Sequence, residues 1–213
     1  MTEKWDELID TLKAQAQAMH EAREAGLVKT RLLIQTSAKC IRHIHRHQFE
    51  DAARLLEQAK SIAAEARSAL GPFGSLYHAG YLHDSEKEMV EAAAVLAIVQ
   101  EQPYPTPQEL QVGIMAYLNG MGEAASEVRR YCLDEMRHGH LQKAESILQQ
   151  MESIYDDLIT FDYADSMTGG LRRTCDALRA VIERTRSDLT QTVSQQALVR
   201  ELQATRERIK FSS

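Results

Sequence analysis

Residues that break up a chain are scarce in this one. Its 213 residues include four prolines, ten glycines and three cysteines. No Asn-Gly or Asp-Gly pair is flanked by the alternating apolar residues of a hairpin, so sheets are disfavoured. Cys40, Cys132 and Cys175 are odd in number, far apart and form no CxxC, which argues against both a disulfide framework and a thiolate zinc site and points to a reducing, cytoplasmic setting. The longest unbroken apolar run, "AAAVLAIV" at 92–99, is far too short to span a bilayer. The opening "MTEKWDELID" is acidic and lacks the apolar segment of a signal peptide. Neither export nor membrane insertion is expected.

What is abundant is helix-forming material, 44% hydrophobic and 26% charged, enough for one sizeable core. The expected class is all-α, a single-domain bundle. Ile147, Leu148, Met151, Ile154, Tyr155, Leu158 and Ile159 are spaced by turns of a helix and draw one apolar stripe. Thr106, Pro107 and Glu109 form a helix-start signature, with Thr106 as N-cap and Glu109 as capping-box partner. The helix they begin is predicted to run to about His138, before Gly139 in the left-handed conformation. Further breaks are expected near Gly26, at the "HQFED" corner near 48–51, and at "GPFG" (71–74), "QPYP" (102–105) and "TGG" (168–170). Together they divide the chain into about seven helices. Residues 1–190 form the helical domain in this reading, and 191–213 a polar helical extension that pairs with a neighbouring chain or frays.

The net charge of −6 by itself discourages nucleic-acid binding, which depends on neutralising phosphates. Its distribution reverses that inference. Residues 27–48 hold Lys29, Arg31, Lys39, Arg42, Arg46 and three histidines with no acid, and residues 172–211 carry nine basic against five acidic side chains. Such sorting gives faces of opposite sign. The first segment offers its cations no acid one turn away, so phosphates become the natural partners, as an alternative to a plain solvated face. There is no phosphate-binding glycine loop, GxSxG nucleophile motif, or RRM or KH motif.

Two pairs of acids stand out. Glu88 and Glu91, spaced i, i+3, precede the apolar run, and Glu123 and Glu127, spaced i, i+4, sit among Gly120, Gly122, Ala124, Ala125 and Ser126. Each pair shares one helix face. If the two helices adjoin, four carboxylates converge. At a separation of 4 Å and an effective dielectric near 20, each pair repels by about 4 kcal/mol, and oxygen-only ligands favour Mg²⁺ or Mn²⁺. The alternative is four solvated glutamates. A rival pair, Glu135 and His138 in "DEMRHGH", has the spacing used by di-iron bundles, which need two such pairs. Only one is present.

"YLNGMGEAASEVRRYCL" (117–133), "EMVEA" (88–92), "VKTRLLIQTSAKCIRHIHR" (28–46) and "IYDDL" (154–158) together resemble the translin family, closest to its translin-associated factor X branch, over about residues 15–190. The resemblance implies a seven-helix fold, a homo-oligomeric, octamer-like assembly and binding of single-stranded RNA or DNA. For the factor X branch it implies Mg²⁺-dependent endoribonuclease activity, with Glu88, Glu91, Glu123 and Glu127 matching the acidic, metal-holding site. Glu123 stands where that branch usually has aspartate. The candidate phosphate-binding residues are Lys39, Arg42, His45, Arg46, Arg129 and Arg130. A non-catalytic RNA- or DNA-binding scaffold is the competing expectation.

Overall fold

The computed structural model describes residues 2–211, and among them the fold is all-α, without strands. α1 (Thr2–Ile44) turns through His47, at φ 57°, into α2 (Phe49–Leu70), which runs back along it. A single turn, α3 (Gly74–Tyr77), leads to α4 (Tyr81–Val99). The chain then returns along the bundle through 100–113, carrying the one-turn α5 (Pro107–Leu110), so that α6 (Ile114–Arg137) starts beside the start of α4. Tyr104 donates to Gln150 on the way and Arg67 reaches Gln111 near the end. α7 (Leu141–Leu158) descends again, and after the single turn α8 (Asp165–Thr168), α9 (Leu171–Phe211) rises beside α6. Thr174 and Asp188 of α9 meet Asn119 and Arg129 of α6 in the same order.

α4 is the central element and packs against α1, α2, α6 and α7. Its residues from Ala92 to Val99 are all buried, which explains an apolar run that shows no one-sided stripe. α7, by contrast, lies on the periphery and buries one face: Ile147, Leu148, Met151, Ile154 and Leu158 are inside, while Ile159 follows the helix and is exposed. Each fully buried aliphatic side chain of this kind contributes about 1.5–3 kcal/mol.

Two boundaries differ from those expected. Gly26 does not interrupt α1; a Cβ there would lie 2.5 Å from Leu70 Cδ2, so the glycine marks where the end of α2 presses on α1. The single helix expected from Thr106 to about His138 is two helices. Its capping box forms, with Thr106 N donating to Glu109 Oε2 at 2.7 Å and Glu109 N donating to Thr106 Oγ1 at 3.2 Å. Gln111 then turns left-handed at φ 56° and Val112 N bonds back to Pro107 O at 3.0 Å, a closure that ends α5 after one turn. Gly139, at φ 83°, does end α6 as expected.

Nine helices are therefore present among the described residues, against about seven expected: the one-turn α3, α5 and α8 are added, and the break expected at Gly26 is absent. α9 crosses residues 190 and 191 without a break. Residue 1, in the expected helical domain, and residues 212–213 of the expected extension lie outside the described residues. None of the described helices is long and apolar enough to cross a membrane.

α4 and α6 approach closely at Gly120, where a Cβ would lie 2.6 Å from Val90 Cβ and 2.7 Å from Lys87 O. Gly120→Ala is expected to destabilise the fold by about 1–3 kcal/mol, the cost of overpacking a tight contact. Gly74→Ala, at a site with nothing within 4 Å of the added carbon, is expected to change stability by less than about 0.5 kcal/mol. Denaturant unfolding of both variants measures the contrast; equal midpoints would show that the helix contact is not tight.

Candidate metal centre and nucleic-acid interface

Small residues set the geometry of the site. Gly120, Gly122, Ala124 and Ala125 of α6 are all buried; Gly120 lets α6 lie close against α4, and Gly122 makes room for Thr174 of α9 and Leu158 of α7. The two helices run in the same direction, so acids at matching heights come together. Glu88, Glu91 and Glu123 each present a carboxylate oxygen within 4.8 Å of the others, and all three are half-buried. Among the described residues this is the group with metal-binding geometry.

The charges are poorly compensated. Burial, then Glu88, Glu123 and Glu127, push the Glu91 carboxyl up to about 8. Burial and then Glu123 also raise Glu88. One cation sits in the cluster: Lys87 Nζ donates to Glu123 Oε1 at 2.8 Å. Burial opposes the charge on Lys87, but Glu123, Glu88 and Asp84 together raise its pKa. With one ammonium for three half-buried carboxylates, a proton on Glu91 or a bound cation would lessen the excess negative charge. An oxygen-only donor set of this size fits a hard divalent ion such as Mg²⁺ or Mn²⁺.

Glu127 lies one turn further along α6. It is close enough to raise Glu91 but is not one of the three converging acids. Its Oε1 is held by His45 Nε2 at 2.7 Å. The His45 side chain is only 3% exposed, and the carboxylate acceptor requires the imidazole proton on Nε2. His45, expected among the phosphate-binding cations, thus faces a glutamate of α6 from the turn that follows α1. Arg129, from the same expected set, is drawn to Asp188 of α9 at 2.6 Å.

Lys39, Arg42, Arg46 and Arg130 are exposed, and among the described residues no acid pairs with them. Lys39 and Arg42, three apart, share the outer face of α1, and Arg46 follows in the turn after its end. Elsewhere in the basic segment Lys29 pairs with Glu65, and His43 lies 3.8 Å from Asp51 on the side of the helix away from His45. Glu135, buried, bonds to His140 Nδ1 at 2.8 Å and not to His138. That takes up the one acid on which the di-iron alternative rests.

Two residues at the site were not foreseen. A cleft of about 380 Å³ opens at Glu123 and Lys87 and is lined on its far side by Arg173 and Thr174 of α9. Lys87 carries a visible signal, a lysine between Glu86 and Glu88. Arg173 belongs to the basic C-terminal segment, but nothing in its neighbourhood places it opposite Glu123.

No protein-family profile matches the chain. The uncharacterised protein MJ0175 of Methanocaldococcus jannaschii is 29% identical over 168 residues, 78% of this chain and 74% of that protein. Among solved structures, the crystal structure of AfC3PO is similar with a TM-score of 0.81 at 31% identity, covering 88% of this chain and 97% of that one. The AfC3PO–duplex RNA complex gives a TM-score of 0.79 with the same identity and coverage. The structure of apo-NeC3PO, at 24% identity and a TM-score of 0.79, covers 86% of this chain and 96% of that one and shares the fold.

Glu91 binds its proton more tightly when folded than when unfolded. Its contribution to stability is therefore complete below the ordinary carboxylate range and is lost as pH rises through about 8. Metal-free protein is expected to lose thermal stability between pH 5.5 and 8.5, each kcal/mol lowering Tm by about 2–4 °C in a chain of this size. Glu91→Gln should flatten that slope. Thermal unfolding across the pH range checks this, and parallel slopes for both proteins would contradict it.

Proposed function

The chain belongs to the translin/C3PO family, and we propose that it is a divalent-metal-dependent endoribonuclease of the translin-associated factor X type. The observation that carries this reading is the convergence of Glu88, Glu91 and Glu123 within 4.8 Å, beside a cleft lined by Lys87 and Arg173. The similarity to a protein solved with duplex RNA supports RNA as the polymer.

Glu88, Glu91 and Glu123 would hold the ion, with Glu127 as a fourth acid steered by His45. When bound, Mg²⁺ or Mn²⁺ supplies Lewis acidity at a phosphodiester oxygen and an acidified water, the chemistry that hydrolysis of the backbone needs. Lys87 tempers the charge of Glu123 and, with Arg173 across the cleft, offers donors to a phosphate. Lys39 and Arg42 on α1 and Arg46 in the turn after it, with Arg130, hold the remainder of the backbone by charge. Nothing in this arrangement reads base edges, so cutting is expected to be largely indifferent to sequence.

Purified protein with Mg²⁺ or Mn²⁺ is expected to cut an RNA oligonucleotide, and Glu123→Gln or Glu91→Gln to lower the rate at least about 100-fold, the scale on which loss of a transition-state electrostatic contact acts, while RNA binding persists. A single strand and its duplex, tested side by side, define the preferred form. Equal cutting by wild type and Glu123→Gln, or cutting unaffected by EDTA, overturns the assignment. RNA retention without cutting, indifferent to divalent ions, identifies a binding scaffold instead.

The combined Lys39→Ala, Arg42→Ala and Arg46→Ala variant is expected to reduce the slope of log affinity against log salt by roughly 2–3, as for three lost phosphate contacts. Filter binding over a salt series measures it. An unchanged slope would remove α1 from the RNA-binding surface.

A further inference from the structure

The cleft beside the acidic cluster does not end at Lys87. At Gly169 it adjoins a larger cavity of about 690 Å³, bounded by the starts of α4 and α6 and by the single turns α3 and α8. The same two helices wall both hollows. On α4, His83 of the cavity stands four residues before Lys87 of the cleft, and on α6 Met115 of the cavity stands four residues before Asn119 of the cleft. That step is one helical turn, about 5.4 Å. A single nucleotide can therefore reach from one hollow into the other.

The two hollows differ in chemistry. The cleft is polar and carries the cations Lys87 and Arg173, whereas the cavity presents Tyr77, His83, Ile114, Met115 and Met167. Tyr77 packs on the buried cluster of Leu70, Leu76 and Leu82. His83 rests against Gly169, whose left-handed backbone at φ 61° comes so close that a Cβ there would lie 3.2 Å from the imidazole Nε2. Both rings are thus steadied by their surroundings. Glu86 also lines the cavity, but Arg67 Nη1 donates to its Oε1 at 2.7 Å. Its charge is answered and does not repel an anionic polymer.

This lining suits a flat ring. Tyrosine and histidine faces stack on any base, and methionines adapt to the shape of what they cover. The volume is that of a site for a small organic group. An apolar protein segment would fill the cavity but make no use of the adjoining cations; a nucleotide, charged at one end and aromatic at the other, uses both.

We propose that this cavity receives the unpaired base of a nucleotide whose phosphate lies at Lys87 and Arg173. The proposal rests on reading the cleft as the place of an RNA phosphate, and deepens it. A base stacked on Tyr77 and His83 is withdrawn from its own strand's stack, whatever its identity, so the cavity grips one nucleotide beside the cut without reading sequence.

Competition against a labelled RNA strand tests this without any cutting. AMP is expected to displace the strand from the full chain at a concentration at least about tenfold lower than ribose 5-phosphate does, the scale of one stacked base. Tyr77→Ala should narrow that gap below about threefold by weakening AMP and not ribose 5-phosphate. Because Tyr77 also packs on the core, the double variant Ile114→Ala, Met167→Ala, at positions 64% and 55% exposed, is its companion and should narrow the gap in the same way. Equal competition by AMP and ribose 5-phosphate overturns the proposal. So does a gap that survives in both variants, which would put the base elsewhere, or an equal weakening of both competitors. These outcomes are separate from those of the nuclease: a Glu123→Gln protein that cuts like wild type removes the catalytic reading and leaves the AMP comparison standing, and a failed AMP comparison leaves the cutting tests as they are.

Discussion

The site depends on how closely α4 and α6 can approach. Gly120 has no side chain because Val90 and the Lys87 carbonyl occupy the space one would need. With that contact made, the helices lie in register, and the turn bearing Glu88 and Glu91 faces the turn bearing Glu123. Bringing three carboxylates together costs free energy, which the burial of Val90, Val95, Ala124, Val128 and their neighbours offsets. Packing thus supplies a repulsive arrangement that would not form on electrostatic grounds.

That repulsion is what suits the site to a ligand. The raised Glu91 carboxyl, pushed up to about 8, and the Lys87–Glu123 ion pair are two partial ways of balancing the charge without an ion. Beside the cluster His45 holds Glu127, and on the opposite face of α6 Asp188 of α9 holds Arg129. The basic charge is divided in the same spirit. Part of it serves internal ion pairs, and Lys39, Arg42, Arg46 and Arg130 remain in solvent.

Much of this was legible along the chain. Helical class followed from the scarcity of turn residues, the stripe on α7 from its spacing, and the Thr106 capping box from three residues. The pairing of acids within each helix was legible too, because i, i+3 and i, i+4 positions share a face whatever the helix packs against. Less legible were the two ends of local order. Gly26 reads as a break but serves as a contact point for Leu70, and the reversal at Gln111 rests on a left-handed residue with no glycine to announce it. Propensity records what a residue allows locally, and in both places a distant partner or a turn closure determined the outcome.

The sequence by itself determined that the chain is a helical bundle, that two helices each carry a pair of acids on one face, and that basic charge is segregated from acidic. These are properties of spacing and composition, and they hold for any arrangement of the helices. Only the tertiary structure decided that α4 and α6 run side by side in the same direction, that Lys87 and Arg173 join the acidic group, and that His45 turns inward to Glu127 while Lys39, Arg42 and Arg46 face solvent. Those outcomes depend on contacts between residues tens of positions apart, and a linear pattern carries no record of which faces meet.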